Sequence, residues 1–219
     1  MQPSPVHCPE CGAPAPFRGA AVSLVCEYCG STVVRTGVDV RLIGKVSALL
    51  DNGSPILLAS KGNFDRVPFE VVGRLQLRHR RGTWNEWFIA FADGTIGWLT
   101  DAQGSFSVVR PREKTIVAGK VPTFGGLALG ATIVVQGVPF VAVERRAASY
   151  QGAEGVLPFA AEPGLVFHSA DLRGHDGEFA TLDYGEDGEH QRPTLYTGRA
   201  VELAEVGLQP LRRFEGWRA

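Results

Sequence analysis

The chain has 219 residues, 44% of them hydrophobic and 21% charged, with a formal net charge of −1. That length supports a substantial core, and the near-zero charge argues against a whole-protein electrostatic grip on nucleic acid or an anionic membrane. Its 27 glycines and 14 prolines suit many tight turns better than long helices.

The first elements are two matched turns, Cys8-Pro9-Glu10-Cys11-Gly12 and Cys26-Glu27-Tyr28-Cys29-Gly30, which use all four cysteines. Four thiolates at this spacing can close a tetrahedron around one Zn²⁺ at about 2.3 Å per bond. Iron uses similar knuckles, so the spacing leaves the metal open between the two. Each following glycine lets the backbone fold back toward the sulfurs. Residues 1–36 thus read as a zinc ribbon with strands at 22–25 and 31–34. Its zinc is structural, because four thiolates leave no open coordination position. So small a module depends on its ion to fold. Paired cysteines used for metal suit a reducing compartment. No apolar leader is visible and no run approaches ~18 apolar residues. A cytoplasmic protein without a transmembrane segment is expected.

Residues 35–52 fit two periods. Val38, Val40, Leu42, Val46 and Ala48 fit a strand, whereas Leu42, Ile43, Val46, Leu49 and Leu50 fit a helix. A first β unit is expected over 37–112. Its strands are Ile56–Ala59, Phe69–His79, Trp84–Phe91, Thr95–Leu99 and Ser105–Val109, separated by short turns that include the hairpin signal Asp93-Gly94. Pro111–Pro122 reads as a connector. A second β-rich unit is expected over 123–219, opening with strands at 129–137 and 138–143. Val67-Pro68-Phe69 and Val138-Pro139-Phe140 occur in similar contexts and hint at an internal duplication. The fold class is mainly β: a zinc ribbon followed by two small antiparallel β-barrel or sandwich-like units.

A cysteine knuckle precedes Ser54-Pro55-Ile56, Gly62, Phe64, Phe69, Val72-Gly73-Arg74, Trp84-Asn85-Glu86-Trp87, Asp93-Gly94, Gly97-Trp98-Leu99 and Gly104. Gly137, Phe140, Val143, Glu154-Gly155, Leu157-Pro158 and Asp183-Tyr184 follow. This set resembles the bacterial domain-of-unknown-function family 4178, whose members often carry an N-terminal zinc ribbon. The resemblance spans nearly the whole chain and supplies an architecture without a reaction. It implies a setting near membrane-stress and polyamine-related genes, and no functional residues beyond the four cysteines.

Three surfaces compete for function. The aromatics Trp84, Trp87, Phe88 and Trp98 offer either packing or an exposed groove for a protein partner. Arg74, Arg78, Arg80 and Arg81 beside Trp84 and Trp87 could take nucleic acid, although their alternation also fits a solvated strand face. The polar stretch His168–His190 holds His168, Asp171, His175, Asp176, Glu178, Asp183, Glu186, Asp187, Glu189 and His190. It could serve an enzyme or a small-ligand site, but its glycines read as hairpin turns. Serine-hydrolase, phosphate-loop and zinc-protease motifs are missing, and no cysteine is left over as a nucleophile. The expected role is a non-catalytic adaptor that presents β surfaces to a protein partner. Nucleic-acid binding and the His168–His190 site are the alternatives.

Overall fold

The computed structural model describes residues 6–17, 21–36, 39–45, 49–112, 121–186, 188 and 193–214. Val38, Val46 and Ala48, much of the 111–122 connector, and Asp187, Glu189 and His190 lie outside them. The described residues form thirteen strands and no helix. The strand reading of the 39–45 segment therefore prevails.

Strands β1 (Ser23–Val25), β2 (Ser31–Thr36) and β3 (Asp39–Lys45) form the N-terminal ribbon. The first half of the remaining chain supplies β4 (Lys61–Phe64), β5 (Val67–His79), β6 (Gly82–Phe91), β7 (Ile96–Ala102) and β8 (Ser105–Arg112). The second supplies β9 (Thr132–Val135), β10 (Val138–Leu157), β11 (Val166–Arg173), β12 (Glu178–Gly185) and β13 (Thr194–Val201).

Each half repeats one topology, a short hairpin strand followed by a four-stranded antiparallel meander. The two Val-Pro-Phe segments occupy the same place in it. Phe64 pairs Val67 across a turn at Asp65-Arg66, and Val135 pairs Val138 across a turn at Gln136-Gly137. All four turn residues have positive φ, at 49°, 66°, 50° and 82°, as a two-residue type I′ hairpin requires.

The two meanders do not make two barrels. β5 pairs β10 and β13 pairs β8, so β5–β8 and β10–β13 close one antiparallel barrel of eight strands. This corrects the two separate units expected from sequence. The reason is edge strands: a four-stranded meander leaves two open edges, and joining two meanders leaves none. Glycines permit the approach at both seams. Gly73 pairs Gly155 across β5–β10, and a Cβ on Gly73 would lie 2.0 Å from the Val156 carbonyl oxygen. At the other seam a Cβ on Gly198 would lie 1.8 Å from the Val108 carbonyl oxygen.

The outside of the barrel is covered on two flanks. Phe69, Trp87, Ile89, Phe91 and Leu99 pack under Ile56, Leu203, Val206 and Leu208. Phe140, Leu172, Leu182, Tyr184 and Leu195 pack under Leu127, Ile133 and Val135. The ribbon docks on the end of β10, where Ser23 pairs Leu157 and Leu24 pairs Val156.

Candidate functional site: a cysteine centre and a polar barrel lumen

The ribbon brings its four cysteine sulfurs within 4.8 Å of one another. Cys8–Cys29 and Cys11–Cys26 are each separated by 3.7 Å. That is far beyond a disulfide's ~2.05 Å, and close to the ~3.8 Å edge of a tetrahedron with bonds of about 2.3 Å. The knuckles are closed by Gly12 N–H to the Cys8 carbonyl and Gly30 N–H to the Cys26 carbonyl, both at 2.8 Å. Their φ angles are 75° and 70°, in the left-handed region that glycine enters without penalty. Hydrogen bonds from Ser31, hydroxyl and backbone, lower the Cys29 thiol, while Cys11, against the Ala13 backbone hydrogen bond, is raised by burial and the neighbouring thiols. The donors present fit a tetrahedral metal ion.

The second site is the barrel's interior. A cavity of about 90 Å³ lies there, and every barrel strand contributes to its wall. Leu75 and Leu77 come from β5, Trp84 and Glu86 from β6, Trp98 and Thr100 from β7, and Val109 from β8. Arg146 and Tyr150 come from β10, Ser169 and Asp171 from β11, Thr181 and Asp183 from β12, and Tyr196 from β13. One face is aromatic. Trp98 lies 5.1 Å from Phe88 and 6.1 Å from Phe159 between ring centroids, and Tyr150 stacks on Phe167 at 5.2 Å.

The polar face is a connected group. Trp84 Nε1–H donates to Glu86 Oε1 at 2.9 Å, and Thr100 Oγ1–H donates to Glu86 Oε2 at 2.8 Å. Burial pushes the Glu86 carboxyl up to about 7, against those hydrogen bonds and with help from the nearby Asp171 charge. Arg146 pairs with Asp171 and, at 2.9 Å, with Glu144. Thr181 donates to the other oxygen of Asp171 at 3.0 Å. Burial works against the Arg146 charge, but Asp171 and Glu144 outweigh it and hold its pKa up. Burial raises Asp171, opposed by Arg146 and Thr181. The Arg146 guanidinium lies 5.2 Å from the Trp84 ring centroid. Arg146 also lines a rim beside His79, Arg81 and Glu144, so it stands between the cavity and that mouth.

The motif Trp84-Asn85-Glu86-Trp87 is now legible as an alternation. Trp84 and Glu86 point into the lumen, while Asn85 and Trp87 point outward into a buried network. Arg74 donates to Asn85 Oδ1 from Nε at 2.9 Å, reaches Asn52 at 3.1 Å and Glu154 at 3.3 Å, and lies 4.9 Å from the Trp87 ring.

Each residue expected to act from sequence has a definite place. Trp84, Trp87, Phe88 and Trp98 are all buried, at 7%, 1%, 4% and 9% exposure. They pack in two clusters, Trp84, Phe88 and Trp98 on the inner side and Trp87 under the outer flank. Arg74 is buried in its own network, while Arg78, Arg80 and Arg81 are exposed around the β5–β6 turn. Of the described histidines and acidic residues in the His168–His190 stretch, Asp171 and Asp183 line the cavity. His168 packs outside against Phe124, with ring centroids 4.8 Å apart. His175, Asp176 and Glu186 are exposed.

Sequence reasoning missed Glu86, Arg146, Thr100 and Tyr150. A signal for Glu86 was present: it is the one charged residue on the strand face shared by Trp84, Phe88 and Ala90. Arg146 had no such signal, because Glu144, Arg145 and Arg146 read as an ordinary charged run.

Among the described residues, no helix is long and apolar enough to cross a membrane. No curated protein and no solved structure matches the chain. A family model, described as Domain of unknown function (DUF4178), matches residues 58–203, a span running from just before β4 through β13 and so containing all eight barrel strands. The chain belongs to that family.

Proposed function

We propose that this protein is a non-catalytic, small-ligand-binding barrel whose lumen is the binding site. One observation carries the reading: a cavity walled by all eight barrel strands, in which Glu86, Arg146 and Asp171 face an aromatic surface. An eight-stranded barrel has an interior just wide enough for side chains or one small ligand. Binding sites are characteristically concave and mostly apolar, with a few placed polar groups. A carboxyl held near 7 inside such a cavity is a functional-site candidate. The adaptor expected from sequence would have to use other surfaces, since its four aromatics are buried, Trp87 under the outer flank and the other three on the inner side.

In this reading the cysteine centre holds zinc as a structural ion. Four thiolates fill a tetrahedral shell and leave no position for substrate. The ribbon then fastens one end of the barrel and takes no part in ligand chemistry. Reduced, metal-bound cysteines accord with a cytoplasmic setting.

A thermal-shift screen of small polar metabolites, run on wild type and on Ser169→Leu, tests the lumen. Ser169 lines the cavity, and the larger side chain shrinks it. Compounds that raise the wild-type midpoint but not the variant's support the reading. Compounds that act equally on both place binding elsewhere and overturn it.

A further inference from the structure

Building on the small-ligand reading of the lumen, we propose that the guest is a compact organic cation: an ammonium or guanidinium group on a short apolar body. The wall carries three carboxylates, Glu86, Asp171 and Asp183, against one guanidinium, Arg146. Arg146 is already committed to Asp171 and Glu144. An anionic guest would have to take it from both and leave Asp171 buried without its counter-charge, a costly exchange.

Glu86 is different. Its two oxygens receive only the neutral donors Trp84 Nε1 and Thr100 Oγ1. Arg146 acts on it only at a distance, so a cation placed beside it displaces no existing ion pair and gives the carboxylate a direct counter-charge. The apolar part of the guest meets Trp98, Tyr150 and Phe159, which line the same cavity. Aromatic faces also attract cations directly, and the wall already shows this with Arg146 over Trp84.

The groups that face Glu86 define its field. β10 presents Arg146 and Tyr150, β11 Asp171, β12 Asp183 and β13 Tyr196. β5, β7 and β8 present Leu75, Leu77, Trp98, Thr100 and Val109, none of which titrates. His79, Arg81 and Glu144 lie at the rim. Burial, with Asp183 second, raises both tyrosine hydroxyls, as an electronegative interior would. Cation binding therefore draws a proton off Glu86 and strengthens as pH rises through about 7.

Three probes of nearly one shape test this on the full chain: butylammonium, butanol and butyrate. Trp84 and Trp98 in the wall report binding by their fluorescence. Butylammonium should saturate at least tenfold below the other two, and its affinity should rise about tenfold from pH 6 to pH 8, the change expected for one proton released from a group titrating near 7. Glu86→Gln should weaken butylammonium at least tenfold while leaving butanol unchanged. A sharp thermal transition of that variant shows that it is folded. Butanol or butyrate binding as tightly as the amine overturns the cation assignment and leaves the lumen reading standing, as does butylammonium binding unchanged in Glu86→Gln. Failure of all three probes to saturate overturns both.

Discussion

Ser23 Oγ donates a hydrogen bond to the Phe159 carbonyl at 2.5 Å, and that contact ties the ribbon to the lumen. Ser23 begins β1, which runs directly into Cys26. Phe159 forms part of the cavity wall between Trp98 and Tyr150. The cysteine ribbon therefore braces one end of the barrel interior through a few atoms.

Metal removal should be felt in the lumen as well as in the ribbon. Beyond its sulfurs the ribbon has two small clusters, Val33 with Ala13, Phe17 and Val40, and Ala15, Ala21 and Leu24 against Val156 of the barrel, too little to hold the knuckles in shape without an ion. A strong chelator should release one zinc per chain, lower the thermal midpoint and shift the fluorescence of Trp98. Cys8→Ser should do the same without chelator. Elemental analysis with fluorescence checks this, and an unchanged midpoint in metal-free protein would contradict it.

The seam glycines should tolerate no side chain. A Cβ on Gly73 or Gly198 would meet carbonyl oxygens at 2.0 Å and 1.8 Å, and these belong to backbone of the other half-barrel. Gly73→Ala or Gly198→Ala should each cost about 3 kcal/mol or more, since a paired backbone yields less readily than a side chain. Gly104→Ala is the control: its Cβ has open space, though φ of 81° adds modest strain. Urea denaturation ranks the three.

Glu86 should make stability fall with rising pH. Its folded pKa stands near 7, above an unfolded value near 4.3. Between those values the folded state holds a proton that the unfolded state has lost, so the slope of stability with pH is negative in that window. The total effect is on the order of 4 kcal/mol. Glu86→Gln keeps the shape, accepts from Trp84 and donates to Thr100, and cannot ionise. The difference between variant and wild type should therefore be small below pH 4.5 and grow in favour of the variant up to pH 7. Asp171 is raised too, but it is common to both proteins and cancels. A flat difference across this range would refute the assignment.

Arg74 should behave as a structural residue. Replacing it with alanine removes the donor to Asn85 Oδ1 and leaves Asn52 and Glu154 without their guanidinium partner, at a cost of about 3 kcal/mol. Arg80→Ala, on the exposed turn, should change stability by less than about 0.5 kcal/mol. Paired denaturant curves decide. A gel shift at two salt concentrations then asks whether the exposed arginines bind nucleic acid at all, which would appear as steep loss at high salt.

The legible parts of this chain were local ones. The cysteine knuckles announce themselves by spacing and following glycine. The strands at 69–79 and 84–91 announce themselves by alternation, and so does the outward direction of Arg74 and Gln76. Even the shared Val-Pro-Phe pointed to a real repeat of hairpin and meander. Less legible was which alternating face would be the inside. Trp84, Glu86 and Phe88 share one face of β6, Trp87 and Phe91 the other, and both faces are buried. Bulges between Val71 and Gly73 and between Tyr150 and Gly152 further shift the pattern.

The sequence by itself determined the metal-ready cysteine set, the all-β character and the hairpins, because each depends on residues a few positions apart. Only the tertiary structure decided that two half-barrels share one interior and that Glu86, Arg146 and Asp171 meet inside it. Those residues lie on strands far apart in the chain, brought together by the registers of the β5–β10 and β13–β8 seams. A slip of one residue at either seam would turn the same side chains outward, so their convergence is a property of the closed barrel and not of any local segment.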